Sequence, residues 1–247
     1  MVQRVQYGRL IDQRLDEVLA TTRSGERIGS IVTETVPSRL PGELLVCVSD
    51  LAPRTVETEP IVEAAVAVNL AWLHQYLHSI AVVTDSLREP VVGSPYDGDT
   101  VAAILDGDVL QSLAFEGVSH ALASQSAAAE GYERLSRASQ ESYERLSTAS
   151  GASPKTFAPI SGAAARFGAI IGGADRDACD RIEAAARSLA QRVTVSTPTG
   201  IRRERALGAT DEPIETIADA LEVPSKALDQ LRTVFERANR QVEVNES

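Results

Sequence analysis

The sequence predicts an all-α protein, and three observations lead to this fold class. Apolar residues recur at helical spacing through most of the 247 residues, and no segment alternates with the period of two that indicates a strand. Aromatic residues make up only 4% of the chain, so Ala, Val and Leu fill the core, which favours helices packed on helices. No glycine-rich phosphate loop follows a strand. We expect one helical domain over residues 1–247.

The predicted helices follow one another along the whole chain. Residues 3–22 are amphipathic, with apolar side chains on one face, and a polar, turn-rich stretch over 21–42 separates them from a helix near 43–51. The segment 60–86 is apolar nearly all round, which places it at the centre of a bundle rather than in a membrane, because polar residues interrupt it. Further helices are predicted over 100–125, 131–150, 154–172, 174–195, 211–222 and 224–241.

One internal repeat occurs, GYERLSRASQE followed by SYERLSTASG. Its offset of 11 residues separates Tyr132 from Tyr143 and Leu135 from Leu146. Eleven residues complete about three helical turns, so both pairs fall on one face of a helix. A surface helix with a packed stripe and a helix that binds a partner both fit this pattern.

The charge balance excludes several classes of function. The net charge is −11, and Lys155 and Lys226 are the only lysines among 24 basic residues. An acidic protein is repelled by phosphates, so we expect neither nucleic-acid binding nor adhesion to an anionic membrane. A salt-rich cytoplasm and a GC-rich genome both produce this composition. The N-terminal segment lacks an apolar signal region, so a cytoplasmic location is expected.

Metal-binding patterns are sparse in the sequence. Cys47 and Cys179 are isolated and form neither a metal spacing nor a disulfide framework. His74 and His78 lie four residues apart on one helical face, as in two-histidine metal sites. No third ligand is visible in the sequence, so we expect no metal here and interpret His74 as a buried histidine or an inherited substrate contact.

Three segments in a fixed order carry a resemblance to a known family. AVAVNLAWLHQYLHSI, then AAILDGDVLQSLAFEGVSHA, then SPKTFAPISGAAARFGAIIGGA resemble the trans-isoprenyl diphosphate synthases, or polyprenyl synthetases. The resemblance covers residues 38–195, with an N-terminal helix and loop over 1–37 and a helical tail over 196–247. It implies the isoprenoid synthase fold and a reaction in which Mg²⁺, held by two aspartate-rich motifs, stabilises a departing diphosphate.

Both aspartate-rich motifs are degenerate in this chain. Ala81 and Val82 replace the first acids of the first motif, and Asp85 alone remains. The second motif should follow Gln191, yet the segment 184–203 contains no carboxylate. Valine and alanine side chains offer no oxygen to magnesium. The resemblance therefore predicts no catalytic residue and no metal site.

Some positions that contact substrate in the family are retained. His74, Arg88, Lys155, Thr156 and Gln191 match such positions, and Arg39 remains from a basic segment whose lysine is replaced here. These residues either hold one phosphate group weakly or are relics in solvated positions.

Tyr76 occupies the position where side-chain bulk sets product length in the family. Its large ring predicts a shallow floor for any cavity that remains.

The resemblance leads to three hypotheses of function. The first is a catalytically silent polyprenyl synthetase-like protein that acts as a partner or regulatory subunit in isoprenoid biosynthesis, either as a homodimer or in a heterodimer with an active prenyl synthase. The second is a protein that binds an isoprenoid or a diphosphate without turnover. The third is an active prenyltransferase that uses Asp85, Asp106 and Asp108, and only this hypothesis requires Mg²⁺. We interpret Asp106 and Asp108 instead as residues of a helix start and its packing.

Overall fold

Helices account for almost all of the chain that the structure describes. The computed structural model describes residues 2–34, 39–52, 54, 56–87, 96, 99–122, 124–148, 154–192, 211–223, 229–234 and 236. The helices include α1 (Val2–Ala20), α2 (Gly25–Glu34), α3 (Leu40–Leu51), α4 (Thr58–Leu87), α5 (Thr100–Ala121), α6 (Gln125–Thr148), α7 (Pro154–Ile171), α8 (Arg176–Ala190) and α9 (Asp211–Ala220), and residues 229–234 are helical as well. No strand occurs among these residues, which confirms the all-α prediction.

Helix α4 lies at the centre of the bundle. It contacts α1, α3, α5, α6 and α7, and its side chains are buried on every face over most of its length. This burial follows from a sequence that is apolar nearly all round. No helix among the described residues is long and apolar enough to cross a membrane, which agrees with the prediction of a core helix for this segment.

Two hydrophobic clusters meet at α7. The larger cluster surrounds α4 and includes Phe167, whereas the smaller one joins α3, α7, α8 and α9 and includes Ala165 and Ala169. Gly168 lies between them, where a Cβ atom would come within 2.4 Å of the backbone oxygen of Leu45. Glycine at this position therefore lets α7 and α3 approach at backbone distance.

Aspartate side chains cap two of the helices. The carboxylate of Asp99 accepts a hydrogen bond from the backbone N–H of Ala102 at 2.9 Å and begins α5. Asp175 accepts from the backbone N–H of Ala178 at 2.8 Å and begins α8 in the same way. Such caps satisfy donors that the first helical turn leaves free.

The prediction of a turn-rich linker over 21–42 is wrong for much of that stretch. Residues Gly25–Glu34 form α2, and Ile28 within it is completely buried. Arg27 and the preceding Ser24 bind the carboxylate of Asp106 on α5, with distances of 3.0 Å from Arg27 Nε and 2.5 Å from Ser24 Oγ. The helix is thus fixed by contacts far along the chain, which local turn signals do not reveal.

The 11-residue repeat lies on α6 and buries its leucines. Leu135 and Leu146 are completely buried, while Tyr132 is half-buried and Tyr143 is 53% exposed. The packed stripe of the prediction is therefore confirmed for the leucines, and the tyrosines lie at its edge.

Candidate functional site

The positions predicted to form a degenerate first motif lie near the C-terminal end of α4. Ala81 is buried, Val82 is half-buried and Asp85 is exposed. Thr84 between them is buried and carries a hydroxyl rather than a carboxylate. This helical face therefore presents one solvated acid, whereas a magnesium–diphosphate centre requires several clustered oxygen ligands. The second motif falls at residues 193–200, outside the described part of the chain.

The retained residues that match substrate contacts in the family differ in their exposure and in their contacts. Arg39 is largely solvated and forms an ion pair with Asp12 of α1, with Nη2 at 3.2 Å from Oδ1. Gln191 is exposed at the C-terminal cap of α8. Arg88 lies outside the described residues, and Lys155 and Thr156 lie in the first turn of α7 with their side chains outside the description. Their role in phosphate binding stays a prediction.

Tyr76 lies over an aromatic stack on α4. Its ring is nearly parallel to that of Trp72, with the two centroids 5.5 Å apart, and Trp72 in turn contacts Phe157 of α7 at 5.0 Å. Trp72 and Phe157 are buried and Tyr76 is half-buried. Trp72 thus contacts both the ring of Tyr76 and, across to α7, the ring of Phe157, at the level of the predicted cavity floor.

His74 and His78 are brought together with Asp108 of α5. The two imidazole rings have centroids 4.1 Å apart, and His78 Nε2 lies 3.3 Å from Asp108 Oδ1. One ligand atom from each of the three residues lies within 4.8 Å of the other two. We call these three residues the histidine cluster. The sequence alone offered no third ligand beside the histidines, and the packing of α5 on α4 provides one.

Two nitrogen atoms of the histidine cluster are buried without a hydrogen bond among the described residues. They are His74 Nδ1 and His78 Nε2, the second of which is close to Asp108 but does not meet it with hydrogen-bond geometry. Burial, and then the neighbouring His78, lower the pKa of His74 from 6.5 to about 4. His74 is therefore neutral at neutral pH, so one of its two ring nitrogens carries a lone pair.

Gly107 makes the close approach of α5 to the two histidines feasible. A Cβ atom at this position would lie 2.7 Å from His78 Cδ2, 2.9 Å from His78 Nε2 and 3.4 Å from His74 Nδ1. Any other residue would push the imidazoles aside. The glycine of the DGD segment thus leaves space directly beside the two unpartnered nitrogens.

The two aspartates of DGD have different roles, and neither begins the helix. The interpretation of helix-start chemistry is wrong, because α5 begins at Thr100 with Asp99 as its cap. Asp106 is buried and accepts hydrogen bonds from Arg27, from Ser24 and from the hydroxyl of Tyr96 at 2.9 Å. Burial and this hydrogen bond raise the pKa of Tyr96. Asp108 is 60% exposed on the opposite side and faces His78.

A second polar cluster lies between α6, α7 and α8 and was not predicted. Arg166 of α7 is only 1% exposed, and its guanidinium donates to Glu130 at 2.6 Å, to Asp180 and to Glu183 at 3.4 Å. Arg187 binds Glu183 at 3.0 Å and Glu141 at 2.7 Å. We call this group, with Arg134, the arginine cluster. The hydrogen bond from Arg166 holds the pKa of Asp180 below its ordinary value of 3.8.

Comparison with known proteins finds similarity in structure alone. No family model matches the chain, and no curated protein sequence matches it significantly. A polyprenyl synthetase from Streptomyces coelicolor A3(2) superposes with a TM-score of 0.61 at 17% identity, covering 97% of this chain and 88% of that one. The small subunit of geranyl diphosphate synthase from Antirrhinum majus gives a TM-score of 0.60 at 18% identity, covering 94% of this chain and 97% of that one.

A heterotetrameric geranyl pyrophosphate synthase from mint is also similar. Its TM-score is 0.67 at 12% identity, and the match covers 95% of this chain and 99% of that one. These matches extend over most of both compared chains, and five further solved structures found by the comparison are described as prenyl diphosphate synthases. The chain has the all-α fold of the isoprenoid synthases.

Proposed function

We propose that this chain is a polyprenyl synthetase-like protein without prenyltransferase activity that acts as a partner or regulatory subunit. The observation that carries the partner role is an apolar stripe on the solvent side of α5. Val101, Ile104, Leu105 and Val109 are 40–64% exposed and follow the spacing of one helical face. Contiguous apolar patches of this kind mark interaction surfaces in folded proteins.

The two faces of α5 have an unusual distribution of side-chain size. The buried face is formed largely by small residues, among them Ala103, Gly107 and Ala114, which lets α5 lie close to α4. Four larger apolar side chains in the first half of the helix are exposed instead, while Leu110 is buried. Burial of these exposed side chains against another chain would favour association.

Catalytic silence is supported by the chemistry of the first degenerate motif. The reaction of the family requires carboxylates that hold Mg²⁺ against the leaving diphosphate. Here the corresponding face of α4 offers Ala81, Val82 and the single exposed Asp85. Two of the structural neighbours are described as a small subunit and as a heterotetramer, which is compatible with a partner role for this fold. A cytoplasmic location belongs to the same proposal.

An activity assay tests whether the chain lacks prenyltransferase activity. Purified protein would be incubated with Mg²⁺, labelled isopentenyl diphosphate and allylic diphosphates of several lengths, beside an active prenyl synthase as a positive control. We expect no product above the level of a reaction without protein. A prenyl diphosphate product that disappears with Asp85→Asn would establish the active alternative and overturn the proposal.

An association assay tests the partner role. The molar mass of the chain would be measured by light scattering, alone and after co-expression with the prenyl synthases of the same cell. We expect either a homodimer or a complex with a synthase, and we expect Leu105→Glu to abolish it. Ala184→Glu places the same charge at an exposed position of α8 and is the matched control. A wild-type chain that is monomeric and binds no synthase would overturn the partner role.

A further inference from the structure

The histidine cluster has the donor set of a transition-metal site rather than of a magnesium site. His74 and His78 supply two imidazoles from successive turns of α4, and Asp108 supplies a carboxylate from α5. Imidazole nitrogen is a preferred ligand of Zn²⁺ and its neighbours, whereas Mg²⁺ requires oxygen ligands. Two histidines with one carboxylate and a water in the remaining position is a known arrangement for zinc.

The donor atoms are free to bind an ion. His74 Nδ1 and His78 Nε2 are buried and have no hydrogen-bond partner among the described residues. Buried polar atoms in folded proteins are otherwise almost always satisfied, so two such atoms side by side point to a missing ligand. Gly107 keeps the adjacent space open, since a Cβ there would lie within 3.4 Å of both nitrogens.

The distances within the cluster suit one small ion. Zinc binds nitrogen at ~2.0–2.1 Å, so neighbouring ligand atoms in a tetrahedral site lie about 3.3 Å apart. His78 Nε2 and Asp108 Oδ1 are already separated by 3.3 Å. The widest separation among the three ligand atoms is no more than 4.8 Å, which small side-chain rotations would close. Asp108 is 60% exposed, so an ion can enter from solvent and keep a water ligand.

We propose that His74, His78 and Asp108 bind one divalent transition-metal ion of the zinc class. The site joins the central helix α4 to α5, on which Asp108 lies one turn from Ile104 and Leu105 of the exposed apolar stripe. Binding to the folded chain alone stabilises it by mass action. The proposal depends on the local geometry and is independent of whether the protein has a partner.

Metal titration of the full-length, tag-free protein tests the proposal. Protein treated with a chelator and then freed of it would be titrated with Zn²⁺ against a chromophoric chelator, and with Co²⁺ while its visible absorption is recorded. We expect about one ion per chain, a Co²⁺ spectrum with the intensity of low-coordinate nitrogen and oxygen ligation, and a melting temperature that rises with Zn²⁺. An ion-free wild-type protein under these conditions would overturn the proposal.

Variants assign the ion to these residues. His78→Ala and Asp108→Asn change partly exposed side chains, and each should weaken Zn²⁺ binding by more than about tenfold. His120→Ala removes an exposed histidine on the same helix α5, and Asp85→Asn removes the remaining acid of the degenerate motif; both should bind like wild type. Wild-type affinity in His78→Ala, or loss of binding in His120→Ala, would place the ion elsewhere and refute the assignment.

Discussion

The arginine cluster and the histidine cluster are both polar groups between helices, yet the guanidinium of Arg166 and the two imidazoles are in opposite situations. Within the arginine cluster, only Nε of Arg187 is buried without a hydrogen-bond partner among the described residues. The guanidinium of Arg166 is 1% exposed and meets three carboxylates from two neighbouring helices. In the histidine cluster, by contrast, two buried nitrogens have no hydrogen-bond partner among the described residues. The first cluster neutralises its buried charge internally and fixes α6, α7 and α8 to one another. The second leaves two imidazole nitrogens without a hydrogen-bond partner among the described residues, as expected of ligand atoms.

The positions predicted to form a degenerate first motif contribute unequally to the packing of the fold. Helix packing depends on clusters such as that of Arg166 and on the apolar cores around α4 and α8. Ala81 belongs to the core around α4, whereas Val82 is half-buried and Asp85 is exposed. The exposed position of Asp85 constrains the packing least, so its side chain can change at little cost to the fold.

The largest effect is expected from removal of the Arg166 guanidinium. Arg166→Met keeps much of the side-chain volume but leaves Glu183 buried with fewer cations. Loss of one partner of a buried ion pair costs ~3–5 kcal/mol, and we expect about 3 kcal/mol, because Arg187 still contacts Glu183 at 3.0 Å. The free energy of unfolding in urea measures this loss.

The matched control is an arginine on the neighbouring helix. Arg137 forms an exposed ion pair with Glu133 on α6, and Arg137→Met should cost less than about 1 kcal/mol. If the Arg166→Met protein were as stable as the Arg137→Met protein, the cost of desolvating Arg166 would cancel the favourable energy of its ion pairs. The arginine cluster would then not stabilise the packing of these helices.

Protonation of a group in each cluster should destabilise the folded protein, and the two effects should occur in different pH ranges. In the metal-free protein the pKa of His74 is lowered from 6.5 to about 4, so between these values the unfolded chain binds more protons than the folded one. The free energy of unfolding therefore decreases as the pH falls from about 6.5 to 4, by on the order of 3 kcal/mol. The pKa of Asp180 is also lowered, so its contribution is lost only as the pH falls below 3.8.

Urea unfolding of chelator-treated protein across this pH range measures the difference. His74→Gln should remove the part of the pH dependence between about 4 and 6.5, while His120→Gln, at an exposed position, should retain it. If the free energy of unfolding changed with pH equally in wild type and in His74→Gln, His74 would not be a neutral group in the folded protein.

The sequence was sufficient for the fold class, but not for either cluster. The periodicity of α4 and the absence of acids at 81–84 can be read directly along the chain. The pairing of His78 with Asp108 depends on the register of α5 against α4, which no local pattern encodes. The same holds for α2, whose Arg27 binds Asp106, together with Ser24 just before the helix, from about 80 residues away.

A partial signal for the histidine cluster was nevertheless present. His74 and His78 at a spacing of four indicated two ligands on one face, and Gly107 next to Asp108 indicated a close helix approach with an acid beside it. Only the three-dimensional packing shows that these two signals meet. The arginine cluster had no such signal, because its members are spread over positions 130–187 among many other charged residues.

Substitution of the two aspartates of the DGD segment should lower the free energy of unfolding by different amounts, both smaller than the loss expected for Arg166→Met. Asp106→Asn keeps the shape of the side chain but removes the charge that Arg27 and the hydroxyl of Tyr96 bind at 3.0 and 2.9 Å. Hydrogen bonds to charged groups contribute ~1.5–3 kcal/mol, and because Arg27 is partly exposed we expect a loss near the lower end, about 2 kcal/mol. In metal-free protein Asp108→Asn should change the stability by less than about 0.5 kcal/mol, because Asp108 is 60% exposed.

Zn²⁺ should stabilise the two variants unequally, and the variant that is less stable without metal should gain more. Asp106→Asn retains the three proposed ligands, so Zn²⁺ should raise its melting temperature as much as that of wild type. Asp108→Asn lacks one ligand, so it should lose most of the rise although it is the more stable of the two without metal. A pair of variants that respond equally to Zn²⁺ would mean that the carboxylate facing His78 takes no part in binding, and the difference between the histidine and arginine clusters would then be one of packing alone.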